Sequence, residues 1–591
     1  MKGFFNKVLI VNLSGRTYSE EGIPDEVYKT FLGGKGLGVY LMLKRNIPGV
    51  DPFSPENNLV IGVGPVNDSS IWGSSRYGVF TKSPLTGFLA HSYSGGRLAR
   101  PISRSGYDAI VLEGRSSNPL YLEISDSGVR FHDAGRLWGL DAYATEDEVL
   151  RETAVPGAGA LVIGPAGEKL VRFANITNNR WRCAGRTGVG AVMGSKNVKA
   201  VVFHGKKARE AHDPEALKRF SRRWLQKVKG SGSSGSYKKL GTAGLVAPIN
   251  AIGAFPTRYW HEGRREEWEE VSGERLHADY SVKAHACRTC MLACGRMTVI
   301  DKGRYAGLRI EGPEYETIYA FGGLCLVDSL DGIIYLNDLC DRLGLDTITA
   351  GNLAAFAIEA SLKGRISEKL TYGDVSTIAG LLHAIAKRQG LGAVLAEGIV
   401  SAAKEWGMEE HAIHVKGMEP GGYDPRIFKG MGLAYATSDR GACHLRSTMF
   451  RAEISGLTPP DRMEGKAEVF LDFEDRLTLQ DAMILCRFYR DLYLWDELAE
   501  IARMTTGMNL DKKDLRKIAS NIQDAARFFN IREGLTSADD TLPARFFDEG
   551  IGPKKSVITK EQLEKLKADY YRLRGWTKEG VPEFHLLQAN T

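Results

Sequence analysis

The feature that most constrains this chain is a run of three cysteines in eight residues: Cys287, Cys290 and Cys294 in CRTCMLAC. Thiolates this close suit a soft metal centre better than a ladder of disulfides. A C-x2-C-x3-C run supplies three corners of an iron–sulfur cube. A cysteine from a distant segment must supply the fourth and tie two parts of the fold together. A structural zinc knuckle is the alternative reading. A radical-SAM cluster uses the opposite order, C-x3-C-x2-C, and does not fit. Cys183, Cys325, Cys340, Cys443 and Cys486 (in DAMILC) are all available, and spacing alone does not choose among them. Free cysteines in helices commonly serve as small buried hydrophobes.

A cube of this kind moves electrons, so the remaining chain is expected to hold a site that generates them. At 591 residues there is room for three or four domains of roughly 150 residues. A net charge of +6 is small for this length and gives nucleic-acid binding no support, although it leaves room for an acidic protein partner. The longest apolar runs, LVIGVGPV and GLCLV, are too short to cross a bilayer. No small-residue cleavage site follows the N-terminal MKGFFNKVLIVNLSG. A cytoplasmic, reducing setting without membrane contact is expected, which also suits unpaired thiols.

Residues 1–207 carry nine strand signals: KVLIVNL, NLVIGVG, YGVFTK, DAIVLEG, LYLEIS, VRFHDA, ALVIGPAG, VRFANIT and KAVVFHG. Gly, Pro, Asn and Asp turns separate them, and helical periodicity is scarce. KGSGSSGS at 229–236 reads as a mobile surface loop. Residues 208–413 turn mainly helical. DGIIYLNDLCDRLG ends on Gly344, and a new helix starts after Asp346 and Thr347. From 414 to 591, GGYDPR and SDRGACHLR read as loops, and RLTLQDAMILCRFYRDLYLW as helix continuing toward YYRLRGW. The expected class is α+β: an N-terminal β-rich cofactor-base domain followed by two mainly helical domains.

Three further patterns carry chemistry. RWRCAGRTGVGAVMGSKN combines glycines with Arg180, Arg182 and Arg186, a mixture of free backbone N–H groups and guanidinium forks that suits phosphates. It is neither a Walker loop nor a dinucleotide fingerprint. Arg76 and Lys82 lie in the same β-rich region. Two hexads echo each other, DRLGLD (Asp341–Asp346) and DAMILC (Asp481–Cys486), either as helix ends or as carboxylates presented to two similar heterocycles. Glu311, Glu314 and Glu316 in EGPEYET, Tyr423 in GGYDPR and His444 in RGACHLR occupy loop-like contexts. A carboxylate and an imidazole are the usual partners in proton transfer near neutral pH, although a lone histidine is more often structural.

Together, SPENNLVIGVGP, RYGVFTKSPLTGF, GYDAIVLEG, AGRTGVGAVMGSKNVKAV, CRTCMLACGR, EGPEYET, DRLGLDT, YDPR, ATSDRGACH, DDTLPARF and YYRLRGWT resemble, in that order along nearly the whole chain, the tungsten-containing aldehyde:ferredoxin oxidoreductase family. The resemblance implies tungsten (or molybdenum) held by the dithiolenes of two pyranopterins, with a [4Fe–4S] cluster on Cys287, Cys290, Cys294 and Cys486. It places pterin contacts on Asp341, Gly344, Leu345, Asp346, Asp481 and Leu485. The pterin-phosphate region falls on Arg76, Arg182, Cys183, Ala184, Gly185, Arg186, Gly188 and Gly190, with Mg2+ near Tyr93 and Cys183. Glu316 and His444 correspond to the acid–base residues, and Tyr423 faces the metal. The implied reaction oxidises an aldehyde to a carboxylic acid and passes electrons through the cluster to ferredoxin or a small iron–sulfur subunit. A catalytic subunit acting on a non-aldehyde substrate and a non-catalytic electron carrier are the alternatives. Two departures stand out: Ile484 replaces a glycine of the second hexad, and Tyr335-Leu336-Asn337-Asp338 replaces an E-x-x-H. No iron-bridged homodimer is expected.

Overall fold

The structure is a computed structural model that describes residues 1–229 and 237–583. Of the Gly/Ser stretch at 229–236, only Lys229, the last residue of helix Pro214–Lys229, lies within the described residues. The N-terminal region builds two six-stranded sheets. The first contains β1 (Lys7–Asn12), β2 (Thr17–Gly22), β3 (Leu59–Gly62), β4 (Tyr77–Lys82), β5 (Leu89–Ser94) and β6 (Ala109–Glu113), ordered β2-β1-β6-β3-β4-β5. The second contains β7 (Leu120–Ser125), β8 (Gly128–Asp133), β9 (Gly159–Val162), β10 (Ile176–Asn178), β11 (Arg182–Ala184) and β12 (Val198–Phe203), ordered β8-β7-β12-β9-β10-β11. The second sheet repeats the first strand for strand. Each has one parallel pair, β1 with β6 and β7 with β12, and is otherwise antiparallel.

Leu9, Ile61 and Val79 of the first sheet share one core with Leu122, Leu161 and Val201 of the second. Their alternate neighbours are buried too. Val8, Val60 and Phe80 join a core with Leu479, Ile518 and Ile522 from C-terminal helices, and Ala160 and Val202 join Val149 of helix Ala142–Thr153. Burial on both faces is why these strands read as nearly unbroken apolar runs. Three strands escape the sequence pattern: TYSEEG (β2), LAHSYS (β5) and RCA (β11). All three are sheet edges, where one-sided pairing demands less apolar patterning. Helix Gly34–Arg45 was also unexpected, because GKGLGV is poor helix sequence. Its glycines let it lie on β4, where a Cβ on Gly38 would come 2.5 Å from the Phe80 ring.

Beyond residue 208 helices dominate, as expected. The exception is a small antiparallel sheet of β13 (Ser281–His285), β14 (Gly295–Val299) and β15 (Arg309–Glu311). The cysteine run occupies the loop between β13 and β14. The helix expected through DAMILCRFYRDLYLW instead stops at Met483, because Ile484 turns left-handed (φ 60°). No helix among the described residues is long and apolar enough to cross a membrane.

Candidate active site

Helices Leu330–Leu343 and Lys466–Met483 run into the two hexads and end in the same turn. The Leu345 N–H donates to the Cys340 carbonyl at 2.9 Å, and the Leu485 N–H to the Gln480 carbonyl at 2.7 Å. These are matching Schellman bonds. The left-handed residue is Gly344 (φ 78°) in one and the buried Ile484 in the other. Each turn rests on the segment following an equivalent strand. A Cβ on Gly164, after β9, would lie 2.4 Å from the Leu343 carbonyl oxygen. One on Gly64, after β3, would lie 2.3 Å from that of Met483. The duplicated sheets thus bring two duplicated turns to one cleft.

That cleft holds a cavity of about 370 Å³. Asp341, Leu345, Asp346, Asp481 and Cys486 line it from the turns, with Arg76, Tyr93, Cys183, Gly185 and Arg186 from the β-rich domain. Tyr93 and Cys183 are equivalent: each sits on the strand opposite the second residue of β4 or β10. Ala184, Gly188, Gly190, Gly344 and Leu485 do not line it. A Cβ on Gly188 or Gly190 would fall 2.0 or 2.1 Å from the carbonyl oxygens of Arg172 and Asn175, so this part of the glycine-rich run serves backbone packing.

The two equivalent aspartates differ in charge. Burial raises Asp341 well above the usual carboxylate range, and Asp338 adds to the effect. Asn337 donates to its Oδ2 at 2.9 Å. Burial pushes Asp481 the same way, but Arg487 and Arg446 outweigh it and hold Asp481 low. Arg446 reaches Asp481 Oδ2 at 2.7 Å and the His91 Nδ1 at 3.0 Å, and Arg487 also pairs with Asp481. Because arginine only donates, His91 Nδ1 accepts and its Nε2–H donates to Asp439 Oδ1 at 2.8 Å. Lys35 closes this buried chain on Asp439 Oδ2 at 2.5 Å. Tyr93 Oη, Arg182 Nε and Arg446 Nε are buried without hydrogen-bond partners. Unspent donors beside an open cavity suit an anionic, heteroatom-rich ligand.

Glu316 sits in the short helix Tyr315–Thr317, which runs directly into a π-helical segment, Ile318–Leu324. Its Oε2 accepts the Gly422 N–H at 3.1 Å, and its Oε1 lies 3.4 Å from His444 Nε2. Burial raises Glu316 to about 8. Burial also pushes His444 well below its ordinary value, reinforced by Arg186, Arg440 and Arg446. Near neutral pH the pair is therefore a carboxylic acid beside an uncharged imidazole. Tyr423 lies beside His444 (centroids 5.9 Å) and stacks on Phe450 at 3.8 Å. Glu311 and Glu314 take other roles: Glu311 pairs with Arg182 and His285, and Glu314 with Thr242.

Cys287, Cys290, Cys294 and Cys486 line a second cavity of about 260 Å³, which shares Arg76, Tyr93, Cys183 and Cys486 with the first. Arg182 lies on this side. The Gly96 N–H approaches Cys287 Sγ at 3.1 Å, and Tyr489 Oη lies 3.5 Å from Cys290 Sγ. Cys486 is fixed through its N–H to the Gly73 carbonyl (2.9 Å), and Gly73 in turn donates to the carbonyl of Thr289 (2.9 Å). Among the described residues no three His, Cys, Asp or Glu side chains gather closely enough for a single metal ion. Four cysteines spaced around a cavity fit a larger, multinuclear guest. Burial pushes the Cys290 and Cys294 thiols up, so holding them as thiolates calls for cationic charge in the pocket.

Comparison with known proteins agrees with this layout. Residues 8–205 match the family model of the aldehyde ferredoxin oxidoreductase N-terminal domain, and residues 219–589 that of domains 2 and 3. The chain belongs to the aldehyde ferredoxin oxidoreductase family. A tungsten-containing aldehyde ferredoxin oxidoreductase of Pyrococcus abyssi is 38% identical over 606 residues, covering 100% of this chain and 99% of the relative. A more distant family relative, the WOR-like subunit of the Pyrococcus furiosus aliphatic sulfonate oxidoreductase, is 28% identical over 100% of the chain and 97% of its own. The fold matches the solved active-site complex BamBC of benzoyl coenzyme A reductase with 1,5-dienoyl-CoA, with TM-score 0.84 and 24% identity. The match covers 98% of this chain and 96% of that one. At the place of the absent E-x-x-H, Tyr335 stacks on Tyr305 (4.6 Å), Asn337 bonds Asp341, and Arg342 Nε donates to Asp338 at 2.7 Å.

Arg440, Arg446, Arg487, His91 and Phe450 were not singled out by sequence. The only available signal was two arginines flanking His444 in DRGACHLR. Arg440 donates through Nε and Nη2 to Cys443 Sγ at 3.2 and 3.0 Å. Burial opposes ionisation of that thiol, yet Arg440 and Arg446 bring it down to about 6.

Proposed function

We propose that this protein oxidises aldehydes to carboxylic acids at a tungsten bis-pyranopterin in the larger cavity and sends the electrons to a ferredoxin. Cys287, Cys290, Cys294 and Cys486 would hold a [4Fe–4S] cluster, which would supply one-electron chemistry for the outward path. The observation that carries this reading is the pair of adjoining cavities with Cys486 in the wall of both. The pterin groups would be held by Asp341, Asp346, Asp481, Arg76, Arg186 and Arg446, and Mg2+ would be held near Tyr93 and Cys183. When bound, the cofactor supplies the two-electron redox change and brings dithiolene sulfurs as metal ligands, so no side chain need coordinate the tungsten.

The overall chemistry converts an aldehyde and water into a carboxylic acid, two electrons and two protons. Glu316, as carboxylate, takes a proton from the attacking water at Oε1. The Gly422 N–H holds its other oxygen in place. Neutral His444 donates Nε2–H to the aldehyde oxygen as charge develops there. Tyr423 and Phe450 wall the site against bulk water.

Because Glu316 is held near 8, its basic form grows as pH rises toward that value. Aldehyde-dependent viologen reduction should climb over the same interval. Glu316→Gln should lower turnover by about 10²–10⁴ while retaining tungsten and iron. Turnover near that of the wild type would refute the assignment.

A further inference from the structure

Electron transfer slows steeply with distance, so a protein acceptor must dock over the cluster edge nearest the surface. Cys287, partly exposed like Cys290, Cys294 and Cys486, has neighbours that reach the surface as arginines. Its Sγ receives the Gly96 N–H, and the Arg288 N–H returns a 3.1 Å bond to the Gly96 carbonyl. These two crossing segments carry Arg97 and Arg288, both exposed. Helix Ala99–Arg104 adds Arg100 and Arg104 alongside. Among the described residues, Asp68 is the carboxylate that pairs within this group. It is only 11% exposed and bonds Arg100 Nε at 3.0 Å and Arg104 Nε at 2.7 Å. Four guanidinium groups thus face one carboxylate, leaving a local charge of about +3 on a chain whose total is only +6. Burial and the crowding by Arg100, Arg104 and Arg97 lower Arg288 against the single opposing influence of Asp68.

Asp68 accounts for Arg100 and Arg104, but among the described residues no carboxylate pairs with the exposed Arg97 and Arg288, and like charges close together cost stability. We propose that the Arg97–Arg100–Arg104–Arg288 patch is the docking surface for a small acidic iron–sulfur carrier protein, seated over Cys287. This rests on the electron-transfer reading above. The arginines steer an anionic partner and orient its cluster toward Cys287, and the interaction weakens as salt screens it.

The test is calorimetric titration of the full-length metal-loaded protein with an acidic two-[4Fe–4S] ferredoxin, at about 50 and 300 mM salt. Kd should rise roughly tenfold with salt, and roughly tenfold or more at low salt in Arg97→Glu/Arg100→Glu. Arg97→Lys/Arg100→Lys, which keeps the charge, should stay within about twofold of wild type. Iron content and aldehyde-dependent viologen reduction should be unchanged in both variants, since a small dye needs no docking surface. Equal ferredoxin affinity in the charge-reversed and wild-type proteins would overturn the proposal, as would equally tight binding of a basic carrier such as cytochrome c. Loss of viologen activity in the wild type, with the ferredoxin titration behaving as described, would count against the aldehyde reading and leave the docking surface supported.

Discussion

The two hexad turns are built alike and charged differently. Both end a long helix, both close with a Schellman bond, and both rest on a glycine two residues beyond an equivalent strand. Yet position six is Asp346 in one and Cys486 in the other. Asp341 is pushed toward its neutral form, while Asp481 is clamped between two arginines as an anion. The duplicated backbone would give two similar heterocycles matching seats in one cleft. The differing side chains make the halves unequal: Cys486 also lines the second, cysteine-lined cavity, and Asp346 does not.

The largest effect should separate the sixth positions. Cys486→Ala should strip iron from its expected level of about four per chain and abolish turnover. Asp346→Ala should keep the iron while freeing Arg186, whose Nε lies 3.2 Å from Asp346 Oδ2. Iron analysis of the two variants side by side tests this. Equal iron in both would erase the proposed difference between the halves.

The aspartates come next. Asp481→Asn leaves Arg446 and Arg487 buried against a neutral group, a loss of about 3–5 kcal/mol. Asp341→Asn replaces a carboxyl already driven toward neutrality by a near-isostere and should cost under about 1 kcal/mol. Their pH dependences should run in opposite senses. Asp481 is held below its unfolded value near 3.9, so its contribution is present above about pH 4 and fades as pH falls through its folded value. Asp341 is held above that value, so its contribution is full below about pH 4 and is lost as pH rises. The Tm gap between wild type and Asp481→Asn should therefore shrink in acid. Asp341→Asn should gain on wild type as pH rises. Parallel curves would show that the two environments do not differ.

Much of this was legible in the sequence because it is local. The cysteine spacing, the echo between hexads, the helix end at Gly344 and the Asp346 cap each depend on residues a few positions apart. The partners of Asp481 were not legible, since Arg446 is 35 residues away and His91 is 355 residues from Arg446. Only the duplicated sheets bring them together. That duplication was itself hidden: three of its four edge strands lack apolar patterning, and in the paired register LVIGVG (59–64) meets GALVIG (159–164), identical only at the final glycine.

The smallest effect concerns the fourth positions, Gly344 and Ile484. A β-branched residue in the left-handed region costs about 1–2 kcal/mol, so Ile484→Gly relieves strain. It also removes a buried side chain whose Cδ1 lies 2.8 Å, and Cγ1 3.1 Å, from where side chains on Gly34 and Gly64 would begin. Deleting such a side chain costs about 2–5 kcal/mol, more than the relief. Ile484→Gly should therefore lower Tm by a few degrees and loosen the second turn on its glycine seat. If the variant melts higher than wild type, strain outweighs packing. Ile484 would then be a stored cost in the half that carries Cys486, with no counterpart at Gly344.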